Sequence, residues 1–184
     1  MKQFPELHTA QLRLRMANHG DIPALVKYCH NQKISDQIIN IPYPYTEQDA
    51  RERLEFINKG FADNNRYVFA ITLQSHHELI GEIGIHLDTT NNHAQMGYWV
   101  AEPFWGRGIA TEAVGAILLF GFRELGLHKI YATHYPDNKT SGNVMVRNGM
   151  IKEAELKDHY RVKDVYKTVF QYRLTIDEFN VLKQ

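Results

Sequence analysis

The chain has 184 residues, 43% of them hydrophobic, which is enough apolar material for one substantial core and argues for one domain spanning 1–184. Its 21 basic and 21 acidic residues cancel, so the overall positive field that draws proteins to nucleic acid is missing. The lone Cys29 has no internal disulfide partner, no run approaches the ~18 apolar residues of a membrane span, and Met1-Lys2-Gln3-Phe4-Pro5-Glu6 lacks the apolar stretch of a leader.

These features lead to the expectation of a cytoplasmic protein with no membrane partner, in which Cys29 is a small buried apolar group and the sequon at Asn138 a chance match. Ten histidines invite a metal reading, but His76 and His77 are adjacent and the others lack ligand-like spacing, so no metal is expected.

In chain order, Leu12-Arg13-Leu14-Arg15-Met16 alternates as a half-buried strand, and Asp21-Ile22-Pro23 predicts a helix start with a cap residue and an early proline. Thr46-Glu47-Gln48-Asp49 has the form of a capping box, opening a helix with Ala50, Leu54, Ile57 and Phe61 along one face. Residues 66–73 and 78–87 read as neighbouring strands, joined by a polar turn. Residues 94–101 are β-favouring, Pro103 ends that ladder for want of a donor, and residues 109–125 run with helical period. A strand over 129–135 returns parallel to 94–101. A short helix over 141–148, a strand over 151–155 and a last strand over 165–176 complete the reading.

The segment Trp105-Gly106-Arg107-Gly108-Ile109-Ala110-Thr111 carries the most information. Small glycines let a backbone approach a ligand, and the first helical turn directs unpaired N–H groups and the positive end of a dipole into the loop, so an anion is expected there. A Walker A loop would need Gly-Lys-Ser/Thr, which is missing. A dinucleotide fingerprint would want a small residue at Thr111 and an acidic one after the next strand, which ends in His134-Tyr135-Pro136. Alone, the loop is equally compatible with a plain strand-to-helix turn.

Downstream lie Asn138, Ser141, Arg147, Gly149 and Met150. With Gly97-Tyr98-Trp99-Val100 and the 105–111 loop, they make the chain resemble the GNAT superfamily of N-acetyltransferases, specifically the RimJ/RimL branch that acetylates ribosomal-protein N-termini. The resemblance spans most of the chain. It implies a mixed α/β (α+β) GNAT-like domain whose central twisted sheet is mostly antiparallel, with one splayed parallel strand pair and flanking helices. It also implies acetyl-CoA as cosubstrate, its pyrophosphate wrapped by Gly106, Arg107, Gly108, Ile109, Ala110 and Thr111. Unpaired main chain near Val100 would receive the pantetheine arm, and Asn138, Ser141 and Arg147 would complete the cofactor site. Trp105 stands where the family motif begins with a polar residue. Many relatives pair as homodimers, and the same is open for this chain.

Acetyl transfer to an amine needs a neutral nitrogen, a donor for the developing oxyanion and a proton for the leaving thiolate. An α-amino group is roughly one-sixth neutral at pH 7, whereas a lysine is neutral in only about one molecule in two thousand. An N-terminal acceptor therefore needs little help from a base. Glu82, flanked by Gly81 and Gly84, is the first candidate base, against the alternative of an outward-facing strand carboxylate; His86 and Glu102 follow. Ser141 matches the family position whose hydroxyl lies near the cofactor sulfur, with helix capping as its ordinary role. Tyr160 falls where a RimL-type enzyme has a glutamate, and Asp164 and Thr168 depart from the family's final hairpin. The expected activity is transfer to the primary amine of a protein N-terminus or a small molecule by direct attack in a ternary complex. A non-catalytic acetyl-CoA sensor on the same fold and a nucleotide-binding regulator are the rivals.

Overall fold

The computed structural model describes residues 3–182; the Met1 and Lys2 portion of the leader reading lies outside them. The strands are β1 (Leu7–His8), β2 (Leu12–Met16), β3 (Arg66–Leu73), β4 (Leu79–Asp88), β5 (His93–Val100), β6 (Lys129–His134), β7 (Ile151–Val162) and β8 (Val165–Thr175). The helices are α1 (Ile22–Cys29), α2 (Gln32–Ser35), α3 (Glu47–Ala62), α4 (Ile109–Arg123), α5 (Lys139–Arg147) and α6 (Ile176–Leu182). One sheet in the order β1-β2-β3-β4-β5-β6-β8-β7 contains all eight strands. Every pairing is antiparallel except β5 with β6, which is the mixed fold the sequence predicts. No helix among the described residues is long and apolar enough to cross a membrane.

The sheet has an apolar cluster on each face. On one side, α4 packs Ala113, Val114 and Ile117 against Leu14, Phe69, Ile83, Ile85 and Met96. On the other, α1 and α3 bring Leu25, Tyr28, Leu54 and Ile57 onto Val68, Ala70, Leu79 and Trp99. The central strand β4 is thus buried on both sides, and its first seven residues are all buried. Burial also raises the Cys29 thiol above its ordinary range, so it is inert core, as expected.

Near the middle, the parallel pair comes apart. Its register runs from His93 opposite Lys129 to Met96 opposite Ala132 and stops. Beyond that point β5 follows β4, out to Val100 opposite Gly81, while β6 follows β8, out to His134 opposite Phe170. Each strand keeps its outer partner and loses its inner one, so from Gly97 and Thr133 onward a cleft opens between them.

Three local expectations need correction. Asp21 holds the N-cap position of α1 with Pro23 in the first turn, as expected, but its carboxylate makes no cap bond there: it is taken by the Arg15 guanidinium at 2.7 and 2.8 Å and by the Asn18 amide at 2.9 Å, in the capping box of the preceding 3-10 turn. A bidentate arginine pair holds a buried carboxylate better than two weakly bound amides would. Helix α5 begins at Lys139, and its cap is Asn138, whose side chain accepts from the Ser141 amide at 3.1 Å. The capping role expected of Ser141 therefore falls to Asn138. Strand β7 continues to Val162 instead of stopping at Glu155; it is the edge strand of the sheet with no buried residue along its length, so no apolar alternation marks where it ends. The Thr46 capping box on α3 forms as expected.

Candidate active site

The loop after β5 is shaped by two left-handed residues. Gly106 and Gly108 have φ of +76° and +77°, a region costing L-residues about 1–2 kcal/mol. A Cβ on either would meet nothing within 4 Å, so it is the conformation and the open space beside it, not crowding, that call for glycine. Trp105 ties the loop to the end of β5 by donating its indole N–H to the Val100 carbonyl at 2.6 Å. The first helical bond of α4 runs from the Glu112 amide to the Gly108 carbonyl. The amides ahead of Glu112 thus have no intrahelical acceptor, as at any helix N-terminus. The Glu112 carboxylate faces away and accepts from Gln11 at 2.7 Å twice, so it does not compete for those donors.

From this loop a cavity of about 560 Å³ follows the splayed strands. Gly106, Gly108, Ile109, Ala110 and Thr111 form one end, with Val100 beside them. Asn138, Ser141 and Arg147 of the α5 region form another wall, and Lys33, Ile34, Gln37 and Ile38 close the side toward α2. The structure therefore gathers the proposed cofactor residues, far apart in sequence, around one space. Arg107 is the exception: it is exposed, its guanidinium 5.2 Å from the Phe104 ring, outside the lining. Of the main chain near Val100, expected to be unpaired, the Val100 carbonyl accepts from Trp105. Among the described residues no aspartate or glutamate is in the cavity lining, although Glu102 is paired with the lining residue Lys33.

Such a lining suits a long ligand with an anionic end. The glycine-shaped loop leaves room for a diphosphate against free amides, and Arg147 adds positive charge, while Lys33 is paired with Glu102. The middle, walled by Met96, Val144 and Met145, is apolar enough for an alkyl-amide arm.

Ser141 lies in the first turn of α5, and its hydroxyl is 2.9 Å from that of Tyr98 on β5. Burial pushes the Tyr98 phenol up to about 12, with the bond to Ser141 opposing. His134 at the end of β6 also lines the cavity and is 8% exposed. Its Nδ1 is 2.7 Å from the Tyr135 carbonyl and so carries the proton, leaving Nε2 a buried lone pair with no partner among the described residues. Burial lowers its pKa from the ordinary histidine value, with the bond to Tyr135 opposing.

Glu82 is neither outward-facing nor at the cavity wall. It is 2% exposed, and one carboxylate oxygen, Oε2, accepts from Trp99 Nε1 at 3.0 Å and Arg53 Nε at 3.1 Å. Oε1 is buried without a partner among the described residues. Its reach into the cavity runs through Trp99, a lining residue. His86, on the same face, is packed by Phe56 and lies near Arg53 and Arg66; burial and these cations lower its pKa to about 4. Glu102 pairs with Lys33 and Asn31 outside the cavity. Tyr160, in the position expected of a glutamate, accepts from Gln95 Nε2 at 3.0 Å.

Sequence reasoning missed Tyr98, His134 and Gln37 as wall residues. Gly97-Tyr98-Trp99-Val100 was recognisable as a motif, and strand alternation places Tyr98 on the Met96 face, but its contact 43 residues along the chain has no local signature.

Comparison with known proteins identifies the family. The family model described as an acetyltransferase (GNAT) domain matches residues 11–151. The uncharacterized N-acetyltransferase YnaD of Bacillus subtilis is 31% identical over 173 residues, covering 94% of this chain and 98% of its own. The ribosomal-protein-serine acetyltransferase of Escherichia coli is 28% identical over 151 residues, 81% of this chain and 83% of its own. Among solved structures, RimL, a ribosomal L7/L12 alpha-N-protein acetyltransferase in complex with coenzyme A, superposes with a TM-score of 0.85 over 95% of this chain and 99% of its own, at 21% identity. The chain belongs to the GNAT acetyltransferase family.

Proposed function

We propose that the protein transfers the acetyl group of acetyl-CoA to an α-amino group, most simply a peptide N-terminus, by direct attack in a ternary complex. The observation that carries the reading is a glycine-shaped anion cradle opening into a cavity that reaches Ser141 and has no carboxylate in its lining among the described residues. The nitrogen lone pair attacks the thioester carbonyl carbon, the C–S bond breaks, and the electron pair leaves on sulfur, where the Ser141 hydroxyl supplies a proton. Holding the two reactants together accounts for much of the rate.

The missing carboxylate bears on the acceptor. A lysine or polyamine at neutral pH is almost wholly protonated and needs a base against its nitrogen; an α-amine is not. A cavity walled by neutral and cationic groups suits the second. Names of the relatives, which include acetyltransferases of ribosomal proteins, support the same class.

The test is thiol release from acetyl-CoA with two peptides of one sequence, one bearing a free N-terminus and no lysine, the other N-acetylated with a single lysine. Neutral fraction alone predicts a roughly four-hundredfold preference for the first at pH 7. Equal rates, or a preference for the lysine, would overturn the acceptor class. Tight acetyl-CoA binding with no thiol release from any amine would favour a sensor instead.

A further inference from the structure

Tyr98 and Ser141 share a proton arrangement that decides where the serine's own hydrogen can point. The phenolic oxygen lies 2.9 Å from Ser141 Oγ and 3.1 Å from the Ser141 carbonyl. A phenol has one proton, and two geometries compete for it. In the first, Tyr98 donates to the carbonyl and the serine hydroxyl donates back to Tyr98, turning the serine proton away from the cavity. In the second, Tyr98 donates to Oγ and the serine proton is free to face the cavity, whose wall both residues form.

The second geometry is favoured. Ser141 is the third residue of α5, where the amide four residues on is a carbonyl's ordinary partner. Oγ has no such standing donor, because the cap on this turn is Asn138, acting on the Ser141 amide. We propose that Tyr98 is a positioning residue, which donates its phenolic proton to Ser141 Oγ and thereby holds the serine's own proton toward the leaving sulfur. Tyr98 itself loses no proton: burial holds its phenol up at about 12, so it remains a donor at any working pH. The proton on sulfur comes from the serine hydroxyl, and the one shed by the acylated nitrogen restores it through water. This inference rests on the acetyl-transfer reading and on the proton role of Ser141.

The test is a double-mutant cycle with Tyr98→Phe and Ser141→Ala, followed by thiol release with the free-N-terminus peptide and by calorimetric acetyl-CoA binding. Tyr98→Phe keeps the ring in its packing, so the melting temperature checks that the fold survives. The expected result is a roughly tenfold loss of kcat with the KM for acetyl-CoA within about threefold, a split that a loosened structure would not give. In the Ser141→Ala background the same change should cost nothing further. An equal loss in both backgrounds, or an unchanged kcat for Tyr98→Phe, would overturn the inference. Unchanged turnover in Ser141→Ala would also overturn it while leaving acetyl transfer standing; a wild-type protein that releases no thiol would instead remove both.

Discussion

Replacing Gly108 by valine separates the cost of an awkward backbone from the loss of a ligand site. At φ +77° the β-branched residue is strained, by about 1–2 kcal/mol for an ordinary side chain and more for this one. The free protein offers no clash to add, since a Cβ meets nothing within 4 Å. For a chain of this size, each kcal/mol lowers Tm by ~2–4 °C, so a melt ~2–8 °C below wild type is expected. Binding should suffer far more. The new methyls occupy the space a diphosphate needs, and losing two hydrogen bonds to a charged group, at about 1.5–3 kcal/mol each, weakens Kd roughly a hundred- to ten-thousandfold. Gly126→Val is the control, because Gly126 also has a positive φ, +65°, and open space around it, but lies in the α4–β6 turn away from the cavity. Calorimetry with acetyl-CoA should find Gly126→Val close to wild type in affinity though equally lowered in Tm. If Gly108→Val binds within threefold of wild type, or Gly126→Val loses binding as badly, the loop is not the cradle.

Other perturbations read other parts of the site. For Ser141→Ala, kcat should fall by about tenfold to a hundredfold with a smaller rise in KM; steady-state kinetics showing the reverse split would make the serine a binding group. For Glu82→Gln, the buried partner of Trp99 and Arg53 loses its charge, so Tm should fall while the shape of the pH–rate profile is kept; loss of the acidic limb of that profile would instead restore Glu82 as a base. His86 has its pKa lowered from 6.5 to about 4 in the folded chain, so the unfolded state binds the extra proton first. Its contribution is complete above pH 6.5 and is lost as the pH falls toward 4; urea melts across that range should flatten in His86→Gln, and an unchanged slope would contradict the burial argument.

What could be read from the sequence was local. The 105–111 loop announced itself because glycines at a strand-to-helix junction have a backbone cause, and the Thr46 capping box because its parts lie three residues apart. The α5 start was misplaced because Asn138 and Ser141 are both cap formers at that spacing, and only geometry shows which one accepts. Glu82 was read as having room because glycines flank it, whereas helices packed on both faces of β4 leave it enclosed, a fact about layers and not about neighbours in the chain. Asp21 has the look of a cap, but its carboxylate is taken by Arg15, six residues earlier on β2, a pairing that needs the turn between them to fold back. The Tyr98 to Ser141 bond joins a strand to a helix across a cleft that exists only because β5 and β6 follow different outer partners.

A crystal structure of the protein with acetyl-CoA tests the central claim most directly. The pyrophosphate oxygens should lie within ~3 Å of main-chain amides between Gly106 and Thr111, the arm should run between β5 and β6 past Gly97, and the sulfur should end beside Ser141 Oγ. A coenzyme whose phosphates sit away from that loop, or whose thioester ends on the far side of the sheet from Ser141, would contradict the account.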